Sequence, residues 1–224
     1  MPWGKFSAIN EPNAKQKELF MWKKVNVVVF DFDGTLSARD CNIEFARYCM
    51  KRSARPWLFS PLMLVCGAAK LVRPAGLWWR ENIRRFMTSE MVAKYGRDFV
   101  KQHRKRRFDW AASLVAAERA KGNKVVLISA GPDYLVPHLV RDMKFDAVIC
   151  SVMSKQNPWR YRFLCWGRNK VHALDEWARD NHFVPCVVRS YSDSKSDLPM
   201  MKIAREQIWV NRKTGERSKG KRSK

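Results

Sequence analysis

The stretch VVVFDFDGTLSARD, residues 27–40, ends an unbroken apolar run on two carboxylates, Asp31 and Asp33, with Gly34 directly after them. A run of valine and phenylalanine bounded by glycine reads as a strand buried on both faces of a sheet. Charge at the C-terminal end of such a strand lies at its mouth. In open parallel sheets that edge faces the crevice where ligands bind. Asp-x-Asp-Gly is also a common turn sequence, so the stretch alone leaves a turn and a reactive site both open.

Working outward, strand patterns recur at residues 25–31, 124–129, 146–150 and 185–192, with a weaker one at 207–211. Helical patterns alternate with them: 109–122, 132–143 with a kink expected at Pro137, 169–180 and 195–206. A hairpin is expected within residues 151–166, with Pro158 near its turn. Strands interleaved with helices predict an α/β fold, a Rossmann-like parallel sheet flanked by helices. More than eighty residues between the first two strands show only helical spacing, too many for a simple crossover, and predict an inserted α-helical cap. The expected organisation is a loose segment 1–23, a core of 24–38 and 108–212, a cap of 39–107, and a basic, loose tail of 213–224.

The 44 Lys and Arg against 21 Asp and Glu give a net charge of +23, which favours polyanions, either nucleic acid or an anionic membrane face. The six cysteines (Cys41, Cys49, Cys66, Cys150, Cys165 and Cys186) show no metal-ligand spacing and read as reduced residues of a cytoplasmic protein. The four histidines show none either, and His138 and His172 are expected to pack on helices. The first residues lack the apolar core of a secretory signal, so no export is expected.

Three further features fall on the edge that Asp31 and Asp33 mark. Ser129, in ISAGP, ends the second strand and is followed by Gly131 and a helix whose first turn is expected at Pro132, a ready anion site. Lys170 opens a helix, where the dipole disfavours a cation, and so suggests an anion to pair with. Asp193 and Asp197, in YSDSKSDLPM, form a second acidic cluster after the fourth strand.

Acid pair, hydroxyl, lysine and acid pair, in that order, resemble the four motifs of the haloacid dehalogenase superfamily: DFDGT, Ser129, Lys170, and Asp193 with Asp197. Lys155 is a rival for the third motif; Lys170 is preferred because it begins a helix two elements before the fourth. The resemblance implies a phosphomonoester hydrolase in which Asp31 attacks phosphorus to form an aspartyl-phosphate. It implies that Asp33 protonates the leaving group and later activates water. Ser129 and neighbouring amides, that of Gly131 among them, would hold phosphate oxygens, and Lys170 would neutralise charge. Mg²⁺ would be held by Asp31, the backbone carbonyl of Asp33 and Asp193, with Asp197 orienting the shell. One departure stands out: Ser192 occupies the position before Asp193 where the family usually has glycine.

An insertion directly after the first motif is similar to the helical-cap branch of phosphoserine phosphatase and phosphatidylglycerophosphatase C, and YSDSKSDLPM looks more like the latter. A small polar substrate would call on residues such as Asp40 and Glu44, unless these only begin or decorate a helix. The segment at 56–80 is instead apolar, bordered by Trp57, Trp78 and Trp79 and by Arg52, Arg55, Lys70, Arg73 and Arg80. It is too short and interrupted to span a bilayer, and suits either an interfacial segment or cap packing. The expectation is a cytoplasmic phosphatase, peripheral on the inner membrane face, acting on an anionic lipid phosphate such as phosphatidylglycerophosphate. The alternative is a soluble phosphatase for phosphoserine or a similar metabolite. A nucleic-acid-binding protein using KQHRKRRF and the tail is disfavoured, because neither run belongs to a recognisable module.

Overall fold

Val27 and Val29 bury against one side of a sheet while Val28 and Phe30 bury against the other, all four without solvent exposure. That alternation is the twofold period of a strand, and a strand with both faces apolar belongs at the centre of a covered sheet. The computed structural model describes residues 22–52, 89–154 and 161–220. Segment 56–80, the middle of the expected cap, Lys155, Pro158 and Cys66 lie outside them.

In chain order the elements are β1 (Lys23–Phe30), α1 (Cys41–Arg52), α2 (Ser89–His103), α3 (Trp110–Ala120), β2 (Lys124–Pro132), α4 (Val136–Val140) and β3 (Ala147–Met153). There follow β4 (Tyr161–Phe163), α5 (Arg168–Asp180), β5 (Phe183–Ser192), α6 (Leu198–Lys202), β6 (Glu206–Val210) and β7 (Arg217–Lys219). Among the described residues the sheet has seven strands in the order β4-β3-β2-β1-β5-β6-β7. The five inner strands are parallel, as expected; β4 and β7 add antiparallel edges to β3 and β6. Helices α1 to α4 cover one face, where Phe45, Phe99 and Leu139 pack on Phe30 and Leu127. Helices α5 and α6 cover the other, with Leu174 and Met200 against Val29 and Ile128.

Three local expectations change. Strand β2 continues through Pro132, which pairs with Ser151, so the next helix starts at Val136 and Pro137 sits in its first turn. A proline there has no amide to lose and starts a helix rather than kinking one. The helix expected at 195–206 is a 3₁₀ turn (Lys195–Asp197) followed by α6, again with proline at its start. The tail, expected to be loose from residue 213, instead turns back and pairs Arg217 with Val210. The Asn211 side chain accepts from Lys213 N at 2.9 Å, and Gly215, at φ +75°, donates to Asn211 O at 2.7 Å. Trp110 Nε1 fastens the turn by donating to Gly215 O at 3.0 Å.

Much of the basic run at 101–108 is structural. Arg107 makes a two-pronged ion pair with Asp142 at 2.9 and 2.7 Å, and Arg104 donates to His138 O at 2.7 Å. His138 and His172 lie on helices, as expected, but both are exposed rather than packed. Cys41, Cys49, Cys150 and Cys165 are buried free thiols and Cys186 is partly exposed.

His103 ends α2 with 3% exposure, its Nε2 3.2 Å from Ser37 Oγ and its ring 5.1 Å from that of Phe99. Burial pushes its pKa down from 6.5 to about 4, against a weaker upward pull from Glu44 and Asp40. Between those values the unfolded chain takes up a proton that the folded chain refuses, so stability falls as pH falls through that window. From pH 7 to pH 5 the wild type should lose about 2 kcal/mol more unfolding free energy than His103→Gln. Urea midpoints at the two pH values measure this, and equal losses would exclude a buried neutral imidazole.

Candidate active site

Strand β1 lies between β2 and β5, with Phe30 paired to Leu127 on one side and Tyr191 on the other. The residues that follow these three positions therefore emerge together. Asp31 N still donates to Tyr191 O at 3.0 Å, after which the chain leaves the sheet in a turn whose Thr35, Leu36 and Ser37 amides all donate to Phe32 O. Gly34 makes that turn possible at φ +87°; a Cβ there would overlap the Asp193 carboxylate and lie 2.6 Å from Arg212 Nε.

Lys170 reaches into this space from the first turn of α5 with 1% exposure. Its Nζ donates to Asp31 Oδ1 at 2.7 Å and to Asp197 Oδ2 at 2.8 Å, joining the first, third and fourth sequence features in one buried triad. Burial favours the neutral amine, but Asp31 and Asp197 outweigh it and raise the Lys170 pKa above its ordinary value, so the group stays an ammonium. Burial pushes the Asp31 carboxyl up to about 6 against the pull of Lys170. Ser192, at the position where glycine is usual, donates to Asp197 Oδ2 at 2.8 Å and accepts from Ser194 N at 3.1 Å. Its hydroxyl thus holds the acid that holds the lysine.

Asp193 is tied to Asp31 through a residue to which the sequence reading assigned no role. Thr35 Oγ1 lies 3.1 Å from Asp31 Oδ2 and 3.2 Å from Asp193 Oδ1, and accepts from Asp193 N at 3.0 Å. A second unforeseen partner is Arg212, whose Nε sits 3.0 Å from Asp193 Oδ2. Burial raises the Asp193 pKa, and Arg212 and Thr35 offset part of that rise. Thr35 was within reach of sequence reasoning, since it stands two residues after Asp33 in DFDGT. Arg212 carried no signal, being one cation at the edge of a basic tail.

Asp33 faces away from this cluster. Its Oδ1 accepts from Cys41 N at 2.7 Å and its Oδ2 from Cys41 Sγ at 3.4 Å. Burial first, and then the nearby Asp40 charge, push the Asp33 carboxyl well above the usual range, with the Cys41 amide offsetting part. Asp40 is the cap of α1, accepting from Asn42 N at 3.1 Å and Ile43 N at 3.0 Å, while Glu44 pairs with Arg47 at 3.1 Å. Ser129 is fully buried at the same sheet end and accepts from Gly131 N at 3.0 Å. Among the described residues no hydrogen bond joins Ser129 or Gly131 to the four acids. Gly131 does pack close to the turn that holds Asp33: a Cβ there would lie 3.3 Å from Cys41 Sγ.

The donor set suits a hard divalent ion in one respect. The Asp31 and Asp193 carboxylates stand either side of one hydroxyl, offering two anionic oxygens of the hard type that Mg²⁺ prefers. Among the described residues no three His, Cys, Asp or Glu side chains form a ready cage. Lys170 and Arg212 neutralise the acids instead.

Replacing Lys170 by methionine keeps its length and removes the only cation between Asp31 and Asp197 among the described residues. Stranding buried charge in this way costs on the order of 3 kcal/mol, so in chelator at pH 7.5 the urea midpoint of Lys170→Met should fall accordingly. A carboxyl whose folded pKa lies above its unfolded one destabilises the fold as pH rises through that interval. The deficit should therefore shrink at pH 5.5. A midpoint equal to wild type at both pH values would mean that the triad contributes nothing.

The family model described as haloacid dehalogenase-like hydrolase matches residues 28–202, from β1 to the end of α6. Protein CicA of Caulobacter vibrioides is 29% identical over 199 residues, covering 80% of this chain and 83% of that protein. Among solved structures, a protein of unknown function from Bordetella pertussis superposes with a TM-score of 0.71 at 16% identity, covering 85% of this chain and 91% of that one. A phosphoserine phosphatase in its apo form superposes with a TM-score of 0.62 at 17% identity, covering 84% and 86%. At those identities the structural likeness concerns the fold, while the family model spans most of the chain together with its acid, lysine and serine positions. The chain belongs to the haloacid dehalogenase-like hydrolase family.

Proposed function

We propose that this hydrolase is a Mg²⁺-dependent phosphomonoesterase that works through an aspartyl-phosphate and acts on an anionic lipid phosphate, such as phosphatidylglycerophosphate, at the inner membrane face. The observation that carries the reaction type is the buried triad of Asp31, Lys170 and Asp197 beside an Asp33 carboxyl of raised pKa. Two carboxylates two residues apart take opposite roles when their surroundings differ. Asp31, held against an ammonium, is kept available as the anionic nucleophile. Asp33, with no cation among its hydrogen-bond partners in the described residues, is pushed by burial toward the protonated form that can give its proton to the leaving alkoxide. As the ester bond breaks, phosphorus transfers to an Asp31 oxygen; Asp33, now ionised, then draws a proton from the water that hydrolyses the acyl phosphate. Ser129 and the Gly131 amide are the proposed phosphate-oxygen contacts, turning from their mutual hydrogen bond toward substrate. Asp31, the Asp33 carbonyl and Asp193 would hold Mg²⁺, with Asp197 orienting them. The ion would supply positive charge against the transferring phosphoryl group.

Residues 39–107 are proposed as the cap, with α1 and α2 as its described ends. The lipid reading is supported by the net charge of +23 and by Asp40 and Glu44 being engaged as a helix cap and an ion pair, not as substrate ligands. Each basic residue near an anionic surface is worth on the order of 1 kcal/mol. Among the described residues no helix is long and apolar enough to cross a membrane. The competing reading, a soluble phosphatase for phosphoserine or a similar metabolite, draws on the fold shared with a phosphoserine phosphatase.

Phosphate release separates the two. With Mg²⁺ present, phosphatidylglycerophosphate in mixed micelles should turn over faster than phosphoserine, and chelator should abolish release. Brisk phosphoserine turnover with no lipid turnover would reject the substrate assignment. Asp31→Asn should lower kcat by roughly 10⁴-fold or more. In single-turnover measurements of phosphoryl transfer to Asp31, which precede the water step, Asp33→Asn should cost about 10²- to 10⁴-fold on an alkyl phosphate but far less on p-nitrophenyl phosphate, whose leaving group needs no proton. Equal losses on both esters would remove Asp33 from the role of acid.

A further inference from the structure

Away from the acid cluster, α2 and the α4 region enclose a groove of about 560 Å³. Its size falls within the range of small-molecule sites. Arg97, Lys101 and Arg104, spaced by four and then three residues, line it from α2 and the short helix that follows. His138 and Arg141 line it from the opposite side, and no acid is among the lining residues. Asp142 draws on Arg104 at 3.7 Å while pairing mainly with Arg107. Among the described residues no carboxylate pairs with Arg97, Lys101 or Arg141. The floor is apolar, with Val92, Val100 and the buried Leu135.

Gly96 gives a second, independent indication. It lies inside α2, where glycine is the costliest residue after proline. Among the described residues nothing demands it: an added Cβ would meet only Val92 Cγ1, at 3.9 Å. The space that Gly96 leaves open is groove space. Gly96 thus lines the groove together with Arg97, Lys101 and Arg141, none of which pairs with a carboxylate among the described residues.

We propose that this groove is a docking site for the phosphodiester headgroup of an anionic phospholipid, its phosphate on Arg97, Lys101 and Arg141 and its glycerol and first methylenes on the Val92, Val100 and Leu135 floor. The pairing of cationic rim with apolar floor matches an amphiphile at a membrane interface. A groove of this size fits one headgroup and is too short to be a track for a nucleic-acid backbone. The site is separate from the catalytic acids and does not depend on which ester they hydrolyse.

Vesicle sedimentation, which involves no turnover, tests it with the full chain. Wild type should bind phosphatidylglycerol vesicles and not phosphatidylcholine vesicles. The triple variant Arg97→Gln, Lys101→Gln, Arg141→Gln should partition on the order of 100-fold more weakly. A control that removes the same charge elsewhere, Lys24→Gln, Lys202→Gln, Lys213→Gln, should lose less than about fivefold. Gly96→Ala should raise the melting temperature, and the bulkier Gly96→Leu should weaken vesicle binding while leaving net charge unchanged. Glycerol phosphate in solution should compete only at millimolar concentrations, whereas competition at micromolar levels would assign the groove to a free phosphate ester. Equal losses for the two triple variants, or undiminished binding by Gly96→Leu, would overturn the proposal. So would single-stranded RNA displacing the vesicles through these same residues.

Discussion

A lysine ammonium with almost no exposure costs several kcal/mol to remove from water, and among the described residues two carboxylates at hydrogen-bond distance hold Lys170 there. That requirement organises the site. Asp31 must sit at the end of the central strand to meet Lys170 from one side, and Asp197 must turn inward after β5 to meet it from the other. Ser192 then anchors Asp197, and Thr35 ties Asp31 to Asp193. Each partner comes from a different part of the chain, so the triad assembles only when β1, β5 and α5 are in register.

The same logic separates the two carboxylates of the first motif. Asp31 and Asp33 are two residues apart in sequence and share a buried environment, yet only one has an ammonium against it. The other has the amide and thiol of Cys41. Burial without a cation pushes a carboxyl toward its neutral form, and burial with one opposes that shift. Division of labour between base and acid thus follows from what the turn at Gly34 points each side chain toward.

The departure at Ser192 has a local explanation. A glycine there would leave the Asp197 oxygen one donor short and Ser194 N without its acceptor. The hydroxyl supplies both, so the backbone geometry that the departure put in question is accompanied by added hydrogen bonds. Arg212 plays a comparable part for Asp193 from the β6–β7 hairpin, a segment whose basic composition reads as loose tail. Charge content reports on solvation, whereas the hairpin is made by Asn211, Gly215 and the Trp110 contact, which composition does not weigh.

The central strand, the interleaved helices, and the order acid pair, serine, lysine, acid pair were legible because each rests on local properties: a two-residue period, a short motif, a helix start. Lys170 was preferred over Lys155 on its place at a helix start, and the structure joins that lysine to Asp31. What the chain alone left open was anything depending on side chains that approach across the fold. Thr35 meets Asp193 over 158 residues, Arg212 reaches the same acid from a hairpin, and helix α4 yields its expected first turn to an extended β2 because Pro132 pairs with Ser151. The cationic groove likewise arises only once α2 and α4 pack side by side. Local pattern sets which residues can be buried or charged; register between distant strands and the packing of helices on them decide which of those residues meet.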